Sequence, residues 1–377
     1  MSAKNGAHNA KPEHISRPTS ASHDGPSEGF LDFTRCMLWD DIIHATVMRQ
    51  LSLNALRWYS LTCKAIYGEV QIFYQRSYSL NPILEPFIPL EHIPAFRRLQ
   101  GESGLVISGS AALQFFTRAT YPESDLDLYV EYAHVFEVGK WLEWDVGCIA
   151  LNHHGEPQPF YQTYFHWIAS DAQHRRIPCQ RPCYTALPGS RGNAVPGDLA
   201  HSTQGNYSFK GIRAVVSFLS PVHSRKIQLI ICRRNVMEVI LGFHSTVVMN
   251  LITVSHAYSL YGKETLERKI SLPVDSARSD LAIGNLEAAK SKYVARGWTM
   301  IPTQAEALRR KAFEGWTARH VGDSKCWVVN LPVKRADLFK TTDPLRKNEW
   351  ALLGYKFGMP MIMLQLTETW LYINFVF

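Results

Sequence analysis

The chain has 377 residues, 46% hydrophobic and 12% aromatic, with 40 Lys and Arg against 33 Asp and Glu for a formal charge of +7. That is the composition of a globular protein with core enough for two domains, or for one large domain with a tail. Its basic residues fall in short dispersed clusters such as Arg175-Arg176 and Arg309-Arg310-Lys311, so the charge permits contact with nucleic acid or nucleotide phosphates without requiring it.

Seven cysteines, at positions 36, 63, 148, 179, 183, 232 and 326, show no paired spacing. This argues against a disulfide framework and for reduced thiols in an intracellular protein, cytoplasmic or nuclear. The N-terminus has no apolar signal region, and no run of about twenty uninterrupted apolar residues occurs, so no membrane span is expected. Residues 359–377 come nearest, but Pro360, Gln365, Glu368 and Asn374 interrupt them, and they read as core strands.

Residues 1–30, rich in Ser, His, Pro, Gly and Asn without periodicity, read as a disordered leader. From Leu38 to Val70 apolar residues recur at helical spacing, with Ser52 or Asn54 placed to cap a helix. Asp40-Asp41-Ile42-Ile43, the Leu51–Leu56 corner and Leu61-Thr62-Cys63-Lys64 resemble a degenerate F-box, with Trp39 where that family usually has proline. The resemblance implies an F-box-like segment over residues 31–75 and a ubiquitin-ligase adaptor protein as partner. Read without it, the same residues make a helical hairpin packed on the next domain. Residues 76–100, with Pro82, Pro86, Pro89 and Pro94, read as a connector with at most short helices.

The most informative stretch is 104–131. Leu105-Val106-Ile107 is a short buried strand that breaks at Ser108-Gly109-Ser110; Ala111 to Arg118 then favours helix, with Ser110 placed as its cap. After Pro122, residues 125–130 alternate strictly, which puts Leu126, Leu128 and Val130 on one face and Asp125 and Asp127 on the other. Two carboxylates two positions apart repel unless a cation lies between them. Magnesium is held by one or two carboxylates together with phosphate oxygens, and a helix N-terminus offers free N–H groups to phosphate.

This order of strand, Gly-Ser turn, helix and Asp-x-Asp strand resembles the signature of the nucleotidyltransferase superfamily, the polymerase-beta-like fold. The Ser-Gly-Ser-x-Ala-Leu-x-Phe-Phe and Ser-Asp-Leu-Asp-Leu-Tyr-Val blocks also resemble those of a group of fungal proteins without assigned activity. The resemblance implies an α+β fold, a mixed sheet flanked by helices, over residues 101–262. It also implies phosphate binding at Gly109 and Ser110, and magnesium and catalysis at Asp125 and Asp127 with a nucleoside triphosphate. In that family a third carboxylate sits in a neighbouring strand. Here Ile227-Gln228-Leu229 takes that place in order, so Gln228 is a degenerate third acid position. An amide oxygen can ligate a metal but brings no charge and accepts no proton. Glu131, Glu143 and Asp145 are the nearby acids that could substitute in space.

Residues 133–144 read as an amphipathic helix and 151–211 as an irregular insertion. His153, His154, His166, His174, Cys179, Cys183 and His201 lie in that insertion without a second clean ligand pair, so it reads as loop rather than zinc site. Residues 211–219 and 226–232 form a hairpin candidate, 236–241 and 245–260 read as helices, and His244 between them is a helix-capping histidine or a base. Residues 263–377 read as a mixed C-terminal portion with helices at 280–296 and 305–317 and a strand at 325–331. Three functions follow: a fold descendant with weakened or lost catalysis that binds a nucleotide with magnesium, an active magnesium-dependent nucleotidyltransferase, and an F-box-like substrate adaptor.

Overall fold

The computed structural model describes residues 41–165, 211–272, 280–302, 306, 309, 319–333, 344–356, 359–366 and 369–374. The chain divides into two compact units, residues 1–51 and 52–377. The described part of the first is essentially one helix, α1 (Asp41–Gln50).

The second unit opens with α2 (Leu53–Ser60) and α3 (Lys64–Ser77). The Ser52 hydroxyl caps α2 by accepting from Ala55 N at 3.1 Å. α3 buries Ile66, Val70 and Phe73, the spacing of one helical face. The stretch expected as a connector is largely helical: α4 (Asn81–Leu84), a 3₁₀ turn at Leu90–His92 and α5 (Ile93–Ser103) follow in close succession. Pro82 and Pro94 fall in the first turns of α4 and α5. A missing N–H costs nothing there, so these prolines start helices instead of breaking them. Gln100 on α5 is fully buried and donates to Ile252 O at 2.9 Å, tying the helix to the sheet behind it.

In chain order the strands are β1 (Val106–Ser108), β2 (Leu126–Glu131), β3 (Ile149–Leu151), β4 (Ile212–Leu219), β5 (Lys226–Cys232), β6 (Asn250–Ile252), β7 (His256–Ser259), β8 (Ile270–Ser271), β9 (Thr299–Met300), β10 (Arg319–His320) and β11 (Trp327–Asn330). Eight of them form one sheet in the order β11-β7-β6-β1-β2-β5-β4-β3. β2 and β5 are parallel, and every other neighbouring pair in it is antiparallel. β11, from the portion read as C-terminal to the core domain, therefore closes one edge of the main sheet. A second sheet pairs β10 with β12 (Glu349–Lys356), then β13 (Met359–Leu366) and β14 (Thr369–Asn374), so the C-terminal apolar run is strands. No described helix is long and apolar enough to cross a membrane.

Helices flank the main sheet: α6 (Gly109–Thr117), α7 (Val135–Lys140, continued by a π-helical turn at Trp141–Asp145), α8 (Val236–Leu241) and α9 (Asp280–Ala295). The architecture is thus mixed α/β, a large mixed sheet covered by helices. The helix expected over 245–260 is instead a 3₁₀ turn at Thr246–Val248 followed by the β6–β7 hairpin. Val247, Val248, Leu251 and Ile252 form a dense apolar run whose period does not separate helix from strand, and its β-branched content suits a strand buried on both faces.

One large core cluster lies on the sheet face that carries Val106, Tyr129, Ile230 and Leu251, and it includes Val236 and Ile240 of α8 and Tyr293 of α9. Cys63, Cys148, Cys232 and Cys326 are free thiols. Cys179, Cys183, His166, His174 and His201, and the helix expected at 305–317 apart from residues 306 and 309, lie outside the described residues.

Candidate functional site

Neighbouring strands carry one row of side chains to the same face. Ser108 on β1 is in register with Asp127 on β2, Asp127 with Gln228 on β5, and Gln228 with Ser217 on β4. Residues paired across strands share a face. The parallel register Leu126↔Ile227 makes Asp125 and Lys226, just outward of that row, the next pair. β2 is buried on both sides, with Leu126, Leu128 and Val130 on one and Asp127 and Tyr129 on the other. Tyr129 packs edge-on against Phe243 at 5.8 Å, so the aspartate face is the covered face of the sheet and not a solvated one.

The turn after β1 is built around Asp127. Gly109 has φ +66°, and a Cβ on it would collide with Asp127 Oδ2. The carboxylate therefore lies directly over the Gly109 backbone, a position closed to every other residue type. Gly109 is the first residue of α6, so Ser110, expected as its cap, lies inside the first turn. Ser108 precedes the helix, but its hydroxyl donates to Asn250 O across the sheet and leaves the α6 N-terminus without a side-chain cap.

Asp125, Asp127, Lys226 and Gln228 form a connected set. Lys226 Nζ lies 3.7 Å from Asp125 Oδ2, with both side chains about 40% exposed. In one amide orientation, Gln228 donates to Asp127 Oδ1 at 3.1 Å and accepts from Lys226 Nζ at 2.9 Å; the reverse orientation satisfies neither neighbour. Burial pushes Asp127 up to about 7, the Asp125 charge adds to the rise, and Lys292 and Lys226 pull the other way. Lys292 belongs to α9 and is itself held below its ordinary value, first by burial and then by Arg296. Arg296, one helical turn further on, lies over Tyr121 at 3.8 Å and over Tyr293 at 5.5 Å, and its Nη1 is buried without a hydrogen-bond partner.

The acids that could have replaced a third carboxylate do not gather at this point. Glu131 is at the far end of β2, paired with Cys232, about 13 Å along the strand from Asp127. The Glu143 carboxylate accepts from Phe160 N at 2.7 Å, and Asp145 lies at the exposed end of the π-helical turn. His244 sets Nδ1 2.8 Å from Ser245 Oγ and its ring 5.8 Å from Tyr293. Burial, reinforced by Lys290 and Lys292, lowers it to about 4, so it is neutral near pH 7. Among the described residues, no group of three or more His, Cys, Asp and Glu side chains is arranged to hold a metal.

Lys226 and Lys292 are the charged residues at the aspartate pair that the sequence alone did not single out. Lys226 lies two residues before Gln228, but only the parallel β2–β5 register sets it beside Asp125. Lys292 depends on where the remote helix α9 docks, which no local pattern encodes. A magnesium ion at this place would draw on Asp125, Asp127 and the Gln228 oxygen. The ammonium of Lys226 already stands beside Asp125, and the Gln228 oxygen is taken up by that ammonium. The residues present fit a lysine-neutralised pair better than a metal centre. Compared with protein-family models, curated proteins and solved structures, the chain matches none.

Proposed function

We propose that this chain is a nucleotidyltransferase-like protein without transferase activity that binds a phosphate-bearing nucleotide where the Gly109–Ser110 turn meets Asp125 and Asp127. The observation that supports this most is the register of Gln228 with Asp127. Transfer of a nucleotidyl group needs an acceptor oxygen to lose its proton and needs charge to stabilise the phosphoryl oxygens. An amide at this point in the row supplies neither. The N-terminus of α6, which faces the Asp127 carboxylate and has no side-chain cap, favours negative charge, and Lys226 and Lys292 supply positive charge beside the aspartate pair. The test is incubation of the purified protein with ATP: binding without pyrophosphate release is expected, and pyrophosphate release that disappears in Asp125→Asn would refute the reading.

A second reading concerns α2 and α3. Trp58, Leu61 and Tyr67 are 66%, 65% and 53% exposed, an amount of surface apolar area in one short segment that suits a docking partner. It supports the F-box-like adaptor role, which is compatible with nucleotide binding elsewhere in the chain. Recovery of the ubiquitin-ligase adaptor by the full chain, lost on deletion of residues 35–75, is the expected result; equal recovery after the deletion rejects it.

A further inference from the structure

We propose that Lys226, bridged by Gln228, takes the place of a divalent cation at the Asp125–Asp127 pair, and that Lys292 meets the phosphates of a ligand directly. The first half stands on geometry alone. The second rests on the nucleotide-binding reading.

Two adjacent carboxylates need counter-charge, and magnesium would supply it only through oxygen donors at about 2.0–2.1 Å in near-octahedral array. Here the counter-charge is built in. Lys226 Nζ is 3.7 Å from Asp125 Oδ2, and in the Gln228 amide orientation that satisfies both neighbours it is 2.9 Å from the Gln228 oxygen while the Gln228 nitrogen is 3.1 Å from Asp127 Oδ1. An amide can donate to a carboxylate with one end and accept from an ammonium with the other, which a carboxylate cannot do. A glutamate at 228 would accept from Lys226 but would give Asp127 nothing and would add a third negative charge. Gln228 and Lys226 thus act as one coupled device, each making sense of the other.

The charge balance points the same way. Lys226 and Lys292 are two bases beside Asp125 and Asp127, and burial holds Asp127 partly protonated near pH 7. A bare acidic pair repels phosphate unless a metal bridges them, whereas this set is attractive without one. Lys292 is exposed on α9, next to Tyr293, which belongs to the core cluster on the Asp127 face of the sheet.

The experiment has two arms, each on the full chain. ATP is titrated in EDTA and in magnesium chloride with wild type, Lys226→Met and Lys292→Met. Magnesium alone is tested by thermal shift on wild type and on the double variant Lys226→Met, Gln228→Glu, with circular dichroism to confirm that each variant is folded. Expected are equal ATP affinity in both buffers, a loss of roughly tenfold or more in Lys292→Met, no magnesium shift in wild type and a clear one in the double variant. ATP binding that appears only with magnesium overturns the inference and leaves nucleotide binding standing. ATP binding in neither buffer removes the nucleotide reading and the phosphate half with it. The thermal shift then decides the cation half by itself: a magnesium shift in wild type overturns it, and a shift confined to the double variant upholds it.

Discussion

Asp127 and Gly109 are packed against each other: the carboxylate Oδ2 stands within clashing distance of where a Cβ on residue 109 would be, on a backbone with φ +66°. Gly109→Ala is therefore expected to lose stability twice, through left-handed strain of about 1–2 kcal/mol and through displacement of a buried carboxylate. A total near 3 kcal/mol should appear as a lower urea midpoint with an unchanged slope. A loss under about 0.5 kcal/mol would show that the turn has room to relax.

The burial of Asp127 makes stability fall as pH rises. Its folded-state pKa is raised from 3.8 to about 7, so the folded state holds the proton more tightly than the unfolded chain. The stabilisation is fully present below about pH 4 and is lost as pH climbs through 7. Asp127→Asn removes that titration, so its stability relative to wild type should improve between pH 5 and pH 8 by on the order of 3 kcal/mol. Thermal denaturation at both pH values measures this, and a difference independent of pH would contradict it.

His244 has the opposite sign. Its folded-state pKa is lowered from 6.5 to about 4, so it contributes stability above pH 6.5 that is lost as pH falls through 4. Replacing it by glutamine should flatten the acid limb of the stability curve between those values while leaving pH 7.5 to 9 unaltered in shape. An acid limb identical to wild type would show that other groups dominate it.

Arg296 and Tyr121 should be energetically coupled, because the guanidinium lies 3.8 Å above the ring centroid. A double-mutant cycle with Arg296→Met and Tyr121→Leu is expected to give about 1 kcal/mol. Additivity within error would mean that the stacking on Tyr121 does not hold Arg296.

Much of the sheet was legible because its strands obey simple patterns. β4 alternates between buried and half-buried residues along Ile212–Leu219, and β2 carries its aspartates at a spacing of two. The Gly109 turn was legible from glycine chemistry. What escaped was set by tertiary contact. Asn250 and Leu251 are strand residues because β6 has β1 to pair with, and Pro94 begins a helix because α5 packs on the sheet through Gln100. The aspartate pair was readable as a cation site, but its cations were not: Lys226 gains meaning only from the parallel register with Asp125, and Lys292 only from the docking of α9 more than 160 residues later in the chain.

The most direct test is an ATP titration by calorimetry, without any divalent cation, of wild type, Lys292→Met and the double variant Asp125→Asn, Asp127→Asn. If Lys292 receives the phosphates, wild type binds, the double variant binds at least as tightly because the charge of Asp125 and the partial charge of Asp127 are gone, and Lys292→Met binds about tenfold more weakly. Binding that requires magnesium and vanishes in the double variant would contradict that account and mark the pair as a metal site.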